Sequence, residues 1–376
     1  IRISAMPNQP WLRAFWKKFP LKTGHAALDL LLLVTPVAIW MAMLHASPLL
    51  VFAAAALAIV PLAGVLGEAT SALATHSGPA IGGMLNATLG NATELIIAIF
   101  AVHAGHINVV KASLTGSIIG NLLLVLGMSV VAGGAKRETL RFSRANTSLN
   151  STMLLIAVAA MVMPAIFAVT VYGDLEHHQS ARLEHLSLWA SGVLIVLYLA
   201  NLIFMLKTHR HATGQKTEAA PPEMSFQQAL TALGLATLVI AVLSEILVSQ
   251  IEPVTRALGM TELFIGVIVI GLVGNAAEHS TAVLMAMEDK MDLVMTVAVG
   301  SSTQIALFVA PVLVFLSFAM GHPMTLLFNG FEIAGVFLSV LIVAMISSDG
   351  ETNWFEGAQL LALYAILAVA FYFVPE

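Results

Sequence analysis

The 376-residue chain contains no cysteine, so it holds no disulfide, no thiolate metal site and no cysteine nucleophile, and its redox compartment cannot be read. Charge is scarce as well. Asp, Glu, Lys and Arg make up 10% of the residues, against about 25% in an ordinary soluble domain, which excludes a cytosolic globule. The net charge is -5 and no basic block occurs beyond Arg13, Lys17, Lys18 and Lys22, which argues against nucleic acid as a partner. Long polar stretches are absent too, except residues 207–223, so large domains outside a membrane are excluded.

What the chain has in abundance is apolar sequence: 59% of residues are hydrophobic and the mean hydropathy is +0.93. No compact core could bury so much, so the fold class expected is an all-α polytopic membrane protein in a lipid bilayer. Apolar stretches bounded by charge, Pro or Gly fall at 26–44, 48–75, 78–104, 108–134, 146–171, 183–206, 226–250, 261–287, 292–320, 329–347 and 355–374, about 11 transmembrane helices. The first reads as a span rather than a cleavable leader. Counting Lys and Arg in alternate loops puts 13 of 16 on one side, leaving Lys111, Arg182 and Arg256 opposite. By the positive-inside rule the N-terminus is cytosolic and the C-terminus outside.

An internal repeat organises the chain. Gly90-Asn91-Ala92-Thr93-Glu94 recurs as Gly274-Asn275-Ala276-Ala277-Glu278, and Gly116-Ser117 as Gly300-Ser301, both at an interval of 184 residues (274 − 90 and 300 − 116). Spans 2 to 6 then form one copy and 7 to 11 the other. Five is odd, so the second copy enters from the opposite side, the inverted organisation common in transporters. The expected boundaries are 1–47 for the basic segment and first span, 48–206 for the first repeat, 207–223 for a cytosolic linker and 224–376 for the second repeat.

Glu94 and Glu278 lie inside apolar helices, where an ionised carboxylate costs about 2.5 to 3.5 kcal/mol. Such a group stays protonated or binds a cation, and alternation between the two is what coupled exchange requires. Each glutamate shares a helical face with an amide three residues earlier, Asn91 or Asn275; Ser117 and Asn121, then Ser301 and Gln304, are spaced to share faces on the following spans. The plainer role for these small polar groups is to glue helices together. Carboxylates, amides and freed carbonyls form an all-oxygen set that suits calcium best, as transported substrate rather than cofactor. No cofactor is expected. His279 is placed to shuttle protons or to hydrogen-bond a neighbouring helix, while Glu68 and Glu245 are vestibule carboxyls or simply solvated. His177, His178, His209 and His211 lie in loops.

At these motifs the sequence resembles the cation/proton exchanger family, the calcium/proton antiporters of the calcium/cation antiporter superfamily. The runs Gly90 to Gly127 and Gly274 to Pro311, about a fifth of the chain, look like that family's two signature regions. The resemblance implies calcium binding by Glu94 and Glu278, completed by neighbouring amides and hydroxyls, with protons competing for the same carboxyls. Sodium/calcium exchangers of the superfamily typically carry proline beside the acidic residue, whereas Thr93 and Ala277 stand there in this chain, which favours protons as counter-ion. The expectation is a secondary transporter, not an enzyme, working by alternating access and exporting calcium across a prokaryotic inner membrane. Sodium/calcium exchange and a passive cation channel are the alternatives, and a homo-oligomeric state stays open. A metalloenzyme is disfavoured, since no His-Glu-x-x-His helix occurs.

Overall fold

The computed structural model describes residues 26–175, 180–205 and 224–374. The basic N-terminal segment, the loop histidines His177, His178, His209 and His211, and the 207–223 linker lie outside these. In chain order the helices are α1 (Asp29–Met43), α2 (Pro48–Leu89), α3 (Ala92–His103), α4 (Ile107–Gly134), α5 (Arg144–Tyr172), α6 (Ala181–Ile203), α7 (Phe226–Ser249), α8 (Ile251–Leu258), α9 (Glu262–Met287), α10 (Met291–Ala319), α11 (Gly330–Ile346) and α12 (Trp354–Phe373).

Eight of these are long and apolar enough to cross a membrane, and α1, α3 and α11 are shorter apolar helices. Together they overlie the apolar stretches read from the sequence. The remaining helix, α8, is amphipathic: Ile251 and Val254 are buried while Glu252 pairs with Arg256 on its exposed side. Strands β1 (Leu140–Arg141) and β2 (Glu351–Thr352) form a short antiparallel ladder that ties the α4–α5 loop to the α11–α12 loop.

Two compact units divide the described residues, one taking the chain to Phe100 together with 224–258, the other 101–205 and 259–374. In the first, α2 packs along α7, with Ala72, Leu73 and Ala229 at the centre of the contact. His76 donates from Nε2 to the Met224 carbonyl at 2.9 Å, and a Ser225–Gln228 capping box starts α7. Residue Gly78 breaks α2 with φ 78° and ψ 171°, a conformation essentially confined to glycine.

In the second unit α4 is the most enclosed span and packs against α9, α11 and α12. Its crossing with α9 is set at Gly116, where an added Cβ would lie 2.1 Å from the Val267 carbonyl oxygen. Backbones approach this closely in a membrane because, without a hydrophobic force between helices, packing and hydrogen bonds must hold them. Residues 321–329 run between α10 and α11 without helical structure yet are buried from Met324 to Phe328. Irregular backbone survives at such a place only where the protein satisfies it. Here Ser317 and Ser187 accept the N–H groups of Met324 and Leu326.

Candidate functional site

In the first unit the acidic motif sits at a helix start. The helix after the Gly78 break ends at Leu89, Gly90 and Asn91 form a turn, and α3 opens at Ala92 with the Leu95 N–H bonded to the Asn91 carbonyl. The single helix expected over 78–104 is therefore two pieces, because the chain turns at Gly90-Asn91 immediately before the carboxylate. Asn91 and Thr93 are buried and Glu94 half-buried in the first turn, where exposed N–H groups and the helix dipole favour negative charge. Glu68 is half-buried on α2, whereas Glu245 is exposed on α7.

In the second unit Gly274 to His279 lie within continuous helix. Asn275 is fully buried, and its Nδ2 donates to Ser117 Oγ at 2.9 Å and to the Gly271 carbonyl at 3.0 Å. Its Oδ1 accepts from Asn121 Nδ2 at 3.3 Å. Three residues singled out by the sequence, Ser117, Asn121 and Asn275, thus form one network between α4 and α9, next to the close approach at Gly116. Asn121 Oδ1 is buried and keeps an open acceptor.

One turn on from Asn275, Glu278 accepts a hydrogen bond from Ser301 of α10, while its Oε2 is buried with no hydrogen-bond partner. A buried acceptor left open costs about 1–3 kcal/mol or more when charged, so this oxygen is poised to take a proton or a cation. The adjoining His279 is buried with its Nε2 likewise unpartnered. Gln304 is half-buried on α10, and Ser302 and Thr303 bond back to their own helix.

The helices that carry these groups are not regular. Segments with π-type hydrogen bonding run through Gly120–Val125 in α4, Ile265–Ile270 in α9, and Thr296–Gly300 and Ile305–Val309 in α10. Such segments favour functional sites, since each shifts the register of the side chains that follow. The first and last of them stand at matching places of the two repeats, 184 residues apart, on top of Asn121 and just after Gln304. At that interval Asn121 stands opposite Ile305 and Gln304 opposite Gly120, so the polar groups of the two copies are not equivalent here.

Two buried charged residues, Lys111 and Glu332, were not singled out by the sequence. Both interrupt apolar runs, the same signal that marks Glu94 and Glu278, but neither has an acidic or basic counterpart in the other repeat. Lys111 sits inside α4, not in a loop. Among the described residues no three His, Asp or Glu side chains gather as a metal centre.

Comparison with known proteins agrees with this architecture. The chain matches the family described as sodium/calcium exchanger protein over residues 47–207 and 228–373. It is 48% identical over 343 residues to a Ca(2+)/H(+) antiporter of Synechocystis, covering 86% of this chain and 91% of that one. It is 44% identical over 361 residues to a Ca(2+)/H(+) antiporter of Aphanothece halophytica, covering 92% and 96%. The crystal structure of the selenium-substituted Ca2+/H+ antiporter protein YfkE superposes with a TM-score of 0.81 at 39% identity, over 93% of this chain and 100% of that one. With its apolar helices, the chain is an integral membrane protein. It belongs to the sodium/calcium exchanger protein family, among the calcium/proton cation exchangers.

Proposed function

We propose that the chain is a secondary antiporter that exchanges calcium for protons, not an enzyme, and that Glu94 and Glu278 are the carboxylates the two ions share. The observation that carries this is the Glu278 carboxylate, held by Ser301 at one side and left open at a buried Oε2 within a helix long and apolar enough to cross a membrane. Its repeat equivalent Glu94 stands on the same five-residue motif. The antiporters named above, at 44% and 48% identity, support calcium and protons as substrates.

Calcium bound to ionised carboxylates leaves little net charge in the membrane, and so do protons on the same groups. The empty ionised state is costly. Conversion between inward and outward forms is then cheap only when one ion class is present, and that penalty couples the two fluxes. No cofactor is required. An inward proton gradient drives calcium out of the cytosol across a bacterial inner membrane, with the N-terminus inside and the C-terminus outside. Asn91, Asn121, Gln304 and Ser301 complete the oxygen set, Ser117 and Asn275 support it, and His279 passes protons.

The deciding experiment is calcium-dependent proton flux in proteoliposomes. Glu94→Gln and Glu278→Gln should each abolish it. Removing one partner of a buried charge pair costs about 3–5 kcal/mol, which is a hundredfold or more in calcium affinity. If a sodium gradient supports calcium uptake as well as a proton gradient does, or uptake survives collapse of the pH gradient, the proton-coupled reading is wrong.

A further inference from the structure

Among the described residues, Lys111 is the only buried lysine or arginine and Glu332 the only aspartate or glutamate buried as a whole residue, at 7% and 3% exposure. They are neighbours in the second unit, near the starts of α4 and α11. The Lys111 Nζ donates to the Leu327 carbonyl at 2.8 Å and to Thr325 Oγ1 at 3.4 Å, and the Glu332 carboxylate lies beyond direct ion-pair distance but near enough to attract its charge. Glu332 is itself fixed, accepting Thr115 Oγ1 at Oε1 (3.2 Å) and the Asn329 backbone N–H at Oε2 (2.9 Å).

The ammonium therefore touches a backbone carbonyl and a hydroxyl, with one carboxylate further out. That is the donor chemistry with which membrane proteins hold monovalent cations: unwound backbone supplying carbonyl oxygen, plus a single negative charge. The carbonyl is available because residues 321–329 are not helical, and Lys111 is what satisfies Leu327. The arrangement stands apart from the paired acidic motifs. The positions 184 residues beyond Lys111 and Thr115 are Met295 and Val299, both buried and apolar.

We propose that Lys111, Thr325, Leu327 and Glu332 form a monovalent-cation site that the chain fills with its own tethered ammonium. The fold then needs no bound alkali ion at this point. Removing the ammonium strands a buried carboxylate, a strongly destabilising change, and opens a place for a free cation to take over.

The test reads stability, so it stands or falls independently of the transport reading. Melting temperatures of the full purified chain are measured at constant ionic strength in choline, sodium, potassium and n-propylammonium chloride, the last being the portion of side chain that Lys111→Ala removes. The native chain should melt alike in all four. Lys111→Ala should melt lower in choline and recover, saturably, with a small cation that choline cannot imitate, since a ligand of the folded state raises its melting temperature by mass action. Adding Glu332→Gln should erase that cation response. Lys111→Gln keeps most of the bulk and serves where the alanine variant does not fold, with recovery at higher cation concentration. No discrimination against choline in either variant, or a response that persists with Glu332→Gln, overturns the proposal.

Discussion

At the scale of single residues, Asn275 is the most informative side chain. All its polar atoms are spoken for, by Ser117, Asn121 and the Gly271 carbonyl. Asn275→Ala should leave the Asn121 amide and the Ser117 hydroxyl buried and short of a partner, at a cost of about 1–3 kcal/mol. Ser117→Ala, which removes one hydrogen bond, should cost about 1 kcal/mol. Thermal unfolding in detergent checks both. If Asn275→Ala lowers calcium affinity with no loss of stability, the amide is a ligand rather than a brace. The sequence made these residues visible as polar groups spaced along helical faces. It did not show that they bond to each other, because that depends on how α4 crosses α9 at Gly116, and a crossing is decided between segments 150 residues apart in the chain. Lys111 and Glu332 were missed for a related reason: each is a lone charge in an apolar run until folding brings their charges within reach of each other.

At the scale of elements, the apolar runs located the helices because lipid forces every backbone group to be satisfied within its own segment. What the runs do not encode is where a helix departs from regularity. The break at Gly90-Asn91 and the π-type segments in α4, α9 and α10 arise from packing, which chooses among hydrogen-bond registers of nearly equal local energy. Gly116 tests the packing directly. A methyl group there would overlap the Val267 backbone, and neither α4 nor α9 can move without disturbing the Ser117–Asn275–Asn121 network. Gly116→Ala should destabilise by about 1–3 kcal/mol or more, as overpacking does, and should lower transport along with stability. Gly78 has open space around it, so Gly78→Ala isolates conformation from crowding. Its φ of 78° predicts a cost of about 1–3 kcal/mol from backbone strain alone. Comparing the two alanine variants by detergent unfolding separates the contributions. If Gly116→Ala proves harmless, the close crossing is not what holds α4 to α9.

At the scale of the whole molecule, the repeats seen in sequence and the compact units seen in the fold are different partitions of one chain. The repeats divide it near the 207–223 linker, whereas each unit draws helices from both sides of that linker. Within the first unit α2 buries Ala72 and Leu73 against Ala229 of α7, and within the second α4 meets α9 through Gly116, Gly266 and Gly271. Neither repeat can therefore complete its own core, and folding has to await synthesis of the second half. A chain cut within 207–223 should give two fragments that fail to accumulate when expressed singly, because each exposes faces with close-approach glycines and unpaired amides that lipid cannot satisfy. Co-expressed, the fragments should assemble and recover calcium-driven proton flux, since the cut removes no contact among the described residues. Single fragments that purify as monodisperse, thermally cooperative species would show that each repeat is a folding unit. The exchange of helices between the halves would then be a late docking step rather than the source of the fold.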